Sequence, residues 1–174
     1  MSASQKRIGD DLPREFSLSV IMQKSPSANR WQSFQWEAVG VLAAAKANAA
    51  NPQHAEMIYQ QQETSRYLHA GFKLRLHEDE CESYYHNLLS ANPCCYVVAD
   101  MSDDGTPTPF MVSFSFDEAH AYLEGDEAIY AVPVPAEIYQ WAEAFVLAHY
   151  VPTKRSKRKR ADWRKPEGGS HGAR

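Results

Sequence analysis

Three segments of the chain alternate apolar and polar residues with a period of two, and this pattern is the strongest constraint on its fold. The segments are residues 16–22, 30–42 and 66–76. A period of two places the apolar side chains on one face of a β-strand. All three segments precede the first stretch with helical spacing, so the chain does not begin as a regular strand–helix repeat. This order predicts an antiparallel sheet with helices packed on one face.

The middle of the chain has the spacing of an amphipathic helix. Its apolar residues fall at i, i+3, i+4, i+7 and i+8, and they are Cys81, Tyr84, Tyr85, Leu88 and Leu89. Such a stripe is typical of a helix packed on a core. An Asn-Pro pair at 92–93 is expected to end this helix.

The second half adds three strands and two helices to the prediction. Strands are expected at residues 94–101, 110–114 and 129–134, and the first two flank an Asp-Gly turn. Ser115 and Glu118 have the spacing of a capping box, which predicts a short helix. Helical spacing from Ile138 to His149 predicts a third. The predicted fold is α+β: a mostly antiparallel sheet of about six strands with three helices on it.

Length and composition suit one domain. The chain has 174 residues, of which 44% are hydrophobic, enough for a single core. We expect a loose leader at residues 1–14, the α+β domain at 15–152 and a tail at 153–174, with an Ala/Asn-rich connecting insertion at 43–54. No apolar run approaches the roughly 18 residues of a membrane span. The absence of a signal-like start and the odd count of three cysteines predict a cytoplasmic protein.

Charge is divided sharply between the body and the tail. Residues 153–174 hold nine Lys or Arg against two acidic residues, a net charge of +7, whereas the preceding residues have a net charge of −11. The tail has almost no apolar residues, so we expect it to be disordered.

The basic run in the tail supports more than one function. Its six cations are Lys154, Arg155, Lys157, Arg158, Lys159 and Arg160. They could neutralise nucleic-acid phosphates, dock on an acidic protein surface, or only keep the chain soluble. The acidic body would repel a nucleic-acid backbone and no nucleic-acid-binding motif accompanies the run, so protein docking is favoured.

Tryptophans and a group of carboxylates are the other candidate contact residues. Trp31 and Trp36 could line a recognition groove or fill the core, and Trp141 is expected in the core. The carboxylates lie at the start of the first predicted helix, where they face the positive end of its dipole: Glu78, Asp79, Glu80 and Glu82.

Catalytic and metal-binding patterns are weak. Cys81 and His86 diverge around the predicted helix, and Cys94 and Cys95 point to opposite faces of a strand, so buried cysteines are the simpler interpretation. The chain has neither a nucleophile elbow nor a Gly-rich phosphate loop. We therefore predict no catalytic residues, no metal and no cofactor.

Three blocks carry a family resemblance: residues 30–41 around Arg30-Trp31-Gln32, residues 74–93 (LRLHEDECESYYHNLLSANP), and residues 112–160. Together they resemble an uncharacterised bacterial family whose genes lie near those for molybdenum-dependent formate dehydrogenase. The resemblance implies a cytoplasmic accessory or assembly factor that binds the enzyme or its maturation proteins. The alternatives are a nucleic-acid-binding regulator and an enzyme or carrier acting on the molybdenum cofactor. An enzyme of that kind would need a Gly-rich nucleotide loop, which this sequence lacks.

Overall fold

The computed structural model describes residues 12–43, 54–123 and 125–152. The predicted tail, most of the predicted leader and most of the predicted insertion lie outside these residues. In chain order the elements are β1 (Glu15–Pro26), β2 (Phe34–Ala43), β3 (Ala55–Gln61), β4 (Thr64–Arg75), a 3-10 turn (Glu78–Glu80), α1 (Cys81–Leu88), β5 (Cys94–Met101), β6 (Pro107–Ser113), α2 (Phe116–His120), β7 (Glu127–Pro133) and α3 (Ala136–His149).

The first sheet has four antiparallel strands in the order β2-β1-β4-β3. The alternation predicted for its central strand is confirmed, because Leu18, Val20 and Met22 of β1 are all buried on one face. On β4, Phe72 and Leu74 are buried on the same side of the sheet. The core therefore lies against this inner face.

The second sheet has three antiparallel strands in the order β6-β5-β7. The turn between β5 and β6 is closed by the amide of Gly105, which donates to the carbonyl of Ser102 over 2.8 Å. Gly105 has a φ of +77°, a conformation that glycine adopts without steric cost. The hairpin predicted around the Asp-Gly pair is confirmed.

The two sheets share one hydrophobic core. β2 lies beside β7 and β4 lies beside β6, so the inner faces of both sheets enclose the same cluster of side chains. The α+β class, the antiparallel pairing and the three helices are confirmed. The prediction of a single sheet of about six strands needs correction, because the described residues form seven strands in two sheets. Alternation marks a strand but does not say which strands pair.

Helices α1 and α3 pack against each other and close the core. Tyr84 of α1 is fully buried, and its ring meets Phe145 of α3 edge-on at 6.5 Å between centroids. Trp141 is buried as predicted, and its indole N–H donates to the carbonyl of Pro13. Leu89 of the predicted stripe is exposed and lies directly after the last residue of α1. No helix within the described residues has the length and apolarity needed to cross a membrane.

Candidate functional site: an aromatic cleft

Three neighbouring cavities open at the loop end of the first sheet, and Lys24 lines all of them. Their volumes are about 560, 330 and 280 Å³. We call this branched region the aromatic cleft. Its lining includes one lysine, five aromatic residues and two carboxylates, which are Lys24, Trp31, Phe34, Trp36, Tyr67, Tyr130, Asp104 and Glu63.

The floor of the cleft is the inner face of the first sheet beyond the core. Lys24 pairs with Trp36 across β1 and β2, and Met22 pairs with Tyr67 across β1 and β4. Paired residues of antiparallel strands share a face, so all of these side chains point the same way. The rings of Trp36 and Tyr67 are 5.5 Å apart between centroids.

The loop between β1 and β2 presents Trp31 at the mouth of the cleft. The side-chain oxygen of Asn29 accepts a hydrogen bond of 3.2 Å from the amide of Trp31, and the Asn29 carbonyl accepts one from Gln32. Asparagine favours this type of turn because its side chain reaches the backbone two residues ahead. Trp31 is 90% exposed and Phe34 is 42% exposed. The sequence left open whether Trp31 lies in the core or at the surface, and the structure places it at the surface.

The opposite wall comes from the second sheet. Tyr130 of β7 and Met101 at the end of β5 lie there, with the Tyr130 hydroxyl 3.9 Å from the Met101 sulfur. Burial raises the pKa of Tyr130 above its ordinary value, so its hydroxyl stays protonated to a higher pH than that of an exposed tyrosine.

Lys24 carries a positive charge into this ring-lined space. Its Nζ lies 4.3 Å from the centroid of Phe34 and 5.7 Å from that of Trp36, within the range of cation–π attraction. Among the described residues no carboxylate forms an ion pair with it. Asp104 lines the same cavity, and its pKa is lowered mainly by a hydrogen bond from the Thr106 amide, with a smaller contribution from the charge of Lys24.

The predicted acidic contact residues lie elsewhere. Glu78 pairs with Arg14 and lies 3.8 Å from His149 Nδ1, so it links the residues before β1 to the end of α3. Glu82 lies 3.8 Å from His86 on the surface of α1, and Asp79 is exposed. None of these three residues lines the aromatic cleft.

Glu80 has a structural contact. Its carboxylate accepts a hydrogen bond of 2.8 Å from the hydroxyl of Ser115, which is fully buried and also lies 2.9 Å from the Ser83 hydroxyl. The Ser115 oxygen accepts from the Glu118 amide, so the predicted cap of α2 is confirmed. The Glu118 carboxylate accepts from Ser113 instead of completing a capping box. This network joins the start of α1 to the start of α2.

Two of the three cysteine side chains lie in the core. Cys81 and Cys95 are buried, and desolvation raises the pKa of Cys81 to about 11 and that of Cys95 to about 12. Cys94 is half-buried, and all three cysteines are free. Over residues 12–43, 54–123 and 125–152 there is no grouping of three His, Cys, Asp or Glu side chains suited to a metal ion.

Charge is uneven within the body as well. Residues 76–153 contain 14 acidic residues and neither Lys nor Arg, whereas residues 12–75 contain seven basic and four acidic residues. The helices and the second sheet therefore form an acidic half. The six basic residues predicted as tail contacts, 154, 155 and 157–160, lie outside the described residues.

Sequence reasoning found Trp31 and Trp36 but missed Lys24, Phe34, Tyr67 and Tyr130. One signal was available, because Lys24 continues the inward-facing series of Leu18, Val20 and Met22. A lysine at the end of an inward-facing apolar series marks the point where a core opens to solvent. The rings come from three strands that are far apart in the sequence, so no local spacing of residues predicts that they lie together.

A family model described as "Protein of unknown function (DUF3305)" matches residues 17–160. No curated protein and no solved structure matches the chain.

Proposed function

We propose that this chain, which belongs to the DUF3305 family, is a non-enzymatic accessory protein that binds a partner protein through its aromatic cleft. The observation that carries the proposal is the exposure of Trp31 beside Phe34 at the mouth of a ring-lined cleft. Exposed aromatic side chains are the commonest anchors of protein interfaces, because they bury a large area with little loss of conformational freedom.

The basic tail has a separate role in this proposal. Its six cations, Lys154, Arg155, Lys157, Arg158, Lys159 and Arg160, would raise the rate of encounter with an acidic partner surface. The exposed carboxylates Asp79 and Glu82 offer a second contact surface of opposite charge. Attraction of this kind weakens as salt is added, whereas contacts made by the rings do not.

The proposed partner is formate dehydrogenase or one of its maturation proteins. We propose this identity because residues 30–41, 74–93 and 112–160 resemble an uncharacterised bacterial family, and that resemblance implies an accessory role for molybdenum-dependent formate dehydrogenase. The proposed location is the cytoplasm, where such an assembly factor would meet its partner.

The test is co-purification from source cells that make the enzyme. Four versions of the tagged full chain are compared: wild type, a Trp31→Ala/Phe34→Ala double variant, a chain truncated after Pro152, and Leu147→Ala. Leu147 is 80% exposed on α3, away from the cleft, and serves as the control for loss of a surface apolar residue.

We expect formate dehydrogenase subunits or maturation proteins to be recovered with wild type and with Leu147→Ala. The cleft variant should lose them, and the truncated chain should recover less. Failure of wild type to recover any of them would contradict the proposed partner. Equal recovery by the cleft variant would contradict the proposed site.

A nucleic-acid-binding regulator is the second candidate, and the density of six cations in seven residues favours it. Each neutralised phosphate releases counterions, so affinity would fall steeply with salt. Recovery of nuclease-sensitive material that depends on the tail and disappears at high salt would replace the accessory proposal with this one.

A further inference from the structure

Lys24 stands at the junction of three cavities, and the chemistry of this junction indicates what the cleft binds. The cavities share few residues apart from Lys24, and each pair of them also shares an aromatic ring: Phe34, Trp36 or Tyr67. The ammonium therefore borders three branches, and each branch combines aromatic rings with polar residues.

From this arrangement we propose that the cleft binds an extended peptide segment in which a carboxylate side chain lies between two apolar or aromatic side chains. The inference rests on the proposed binding function of the cleft and specifies the chemistry of the bound segment. The carboxylate would contact Lys24, and the flanking side chains would enter the branches beside Phe34 and Trp36.

Charge complementarity supports an acidic segment. Lys24 has no ion pair among the described residues, and its charge is stabilised by two ring faces. A ligand carboxylate would gain a charge-assisted contact without breaking an existing ion pair. Because the site is partly shielded from water by rings, such a contact is stronger than at an open surface.

Spacing along an extended chain supports the flanking apolar residues. Successive side chains of an extended segment project about 3.3 Å apart along the chain and to opposite sides. When a central side chain is directed at Lys24, the side chains two positions before and after it point the same way, roughly 6 to 7 Å to either side along the chain. These two side chains would reach different branches of the cleft. Tyr67 lines both the branch of about 280 Å³ and the branch of about 330 Å³.

Asp104 provides an internal check on this proposal. It lines the cavity of about 560 Å³, and the positive charge of Lys24 contributes to lowering its pKa, so the two side chains interact electrostatically. The negative charge of Asp104 opposes an incoming carboxylate. Its removal should therefore improve the binding of an acidic segment, a result that a simple loss of structure would not give.

The test uses the full chain and three blocked pentapeptides, Phe-Ala-Glu-Ala-Phe and the same peptide with Gln or Lys in the centre. Binding is followed by NMR titration, with the indole N–H signals of Trp31 and Trp36 reporting on the cleft. We expect the Glu peptide to bind about fivefold more tightly than the Gln peptide and the Lys peptide to bind more weakly still.

Variants of the two charged residues complete the design. Lys24→Met keeps the length of the side chain and should remove the difference between Glu and Gln peptides. Asp104→Asn should tighten the Glu peptide about twofold to fivefold while leaving the Gln peptide unchanged. Asp103→Asn is the matched control, since Asp103 is an exposed neighbour that does not line the cleft, and it should change neither affinity.

Several results would overturn the proposal. They are equal affinities for the Glu and Gln peptides, a preference that persists in Lys24→Met, or the absence of any shift at millimolar peptide. Stronger shifts of the same indole signals with an eight-nucleotide oligothymidine would assign the cleft to nucleic acid instead. If the Trp31 and Phe34 variants still lose the partner while no Glu preference exists, the cleft binds through its rings alone and only this inference fails.

Discussion

The indole N–H of Trp141 donates a hydrogen bond of 2.6 Å to the carbonyl of Pro13, 128 residues earlier in the chain. The same ring lies 5.3 Å from Phe16 between centroids. Trp141 therefore holds the first residues of β1 and the residues just before them against α3, through one hydrogen bond and one aromatic contact. The start of the fold and its last helix are coupled through this one side chain.

Trp141→Phe should lower the free energy of unfolding by roughly 1 to 2 kcal/mol, because the hydrogen bond is lost and the smaller ring leaves a void. Urea denaturation followed by circular dichroism measures the change. Trp31→Phe is the control, since that side chain is almost fully exposed and its replacement should fall within about 0.5 kcal/mol of wild type. Equal effects of the two variants would refute the bridging role of Trp141.

Asn87 of α1 satisfies three backbone groups at once. Its amide nitrogen donates to the carbonyls of Cys94 and Phe114, at 2.8 and 3.0 Å, and its oxygen accepts from the Cys94 amide at 3.1 Å. Asn87→Ala leaves these groups without partners and should cost roughly 2 to 4 kcal/mol. Thermal and urea unfolding test this, with exposed Asn92→Ala expected to be nearly neutral. A loss below 1 kcal/mol would show that water replaces the amide.

Ser115→Ala removes the cap of α2 and the hydrogen bond to Glu80 in one step. We expect a loss of roughly 1 to 3 kcal/mol, since the hydroxyl is fully buried and its partners would be left unpaired. Exposed Ser102→Ala serves as the comparison and should leave urea unfolding unchanged. Hydrogen exchange should show faster opening of residues 116–120 in Ser115→Ala, and unaltered exchange there would argue against the cap.

Stability should fall at alkaline pH through the buried thiols. An unfolded cysteine ionises near 9.0, whereas burial holds the pKa of Cys81 near 11 and that of Cys95 near 12. The unfolded state therefore loses protons first as pH rises, and the stability present below pH 9 is lost between about 9 and 12. Unfolding at pH 7, 9 and 10.5 measures the slope. Cys81→Ser/Cys95→Ser should flatten it, and an unchanged slope would assign it to other groups.

The reactivity of the thiols tests the burial of Cys81 and Cys95 independently. At pH 8 a disulfide reagent should modify half-buried Cys94 quickly and Cys81 and Cys95 only as the chain unfolds, because the thiolate is the reacting form. Mass spectrometry of the labelled chain distinguishes one modified cysteine from three. Rapid labelling of all three in the folded protein would contradict the core assignment.

Gln62 is strained by its position in the turn between β3 and β4. It has a φ of +54°, a conformation that costs a residue with a Cβ atom about 1 kcal/mol. Gln62→Gly should therefore raise the free energy of unfolding by roughly 0.5 to 1 kcal/mol. Gln60→Gly, inside β3, should have the opposite sign because glycine weakens a strand. If both variants change the free energy of unfolding in the same direction, the positive φ of Gln62 does not destabilise the turn.

Local chemistry determined which elements the sequence could reveal. The inward alternation of β1, the apolar stripe of α1 and the Ser115 cap each depend on residues a few positions apart. The alternation and the cap are confirmed, and the stripe is confirmed except at exposed Leu89. β3 was missed because Met57, Ile58 and Tyr59 are consecutive apolar residues. The register shifts between Met57 and Tyr59, so the regular alternation that marks a strand is absent there.

The candidate site was only partly predictable, for a related reason. Trp31 could be identified as a candidate by residue type, and its turn is set by Asn29 two positions earlier. The position of Tyr130 in the same cleft depends on the second sheet facing the first, which is a property of long-range packing. Glu80 was predicted as a contact residue together with the other carboxylates at the start of the first helix. Its hydrogen bond to Ser115, 35 residues away, could not be read from spacing.

The acidic half described above contains no lysine, so the reactive side-chain amines of the described residues all lie in the other half of the chain. Of the residues in the described ranges only Lys24 and Lys73 carry a side-chain amine, and the first of them stands inside the cleft. Coupling through lysine to a sensor chip, a resin or a dye will therefore modify the cleft itself whenever Lys24 reacts. Attachment at an engineered cysteine in the lysine-free half, on the exposed surface of α3, would leave the cleft open to its ligand.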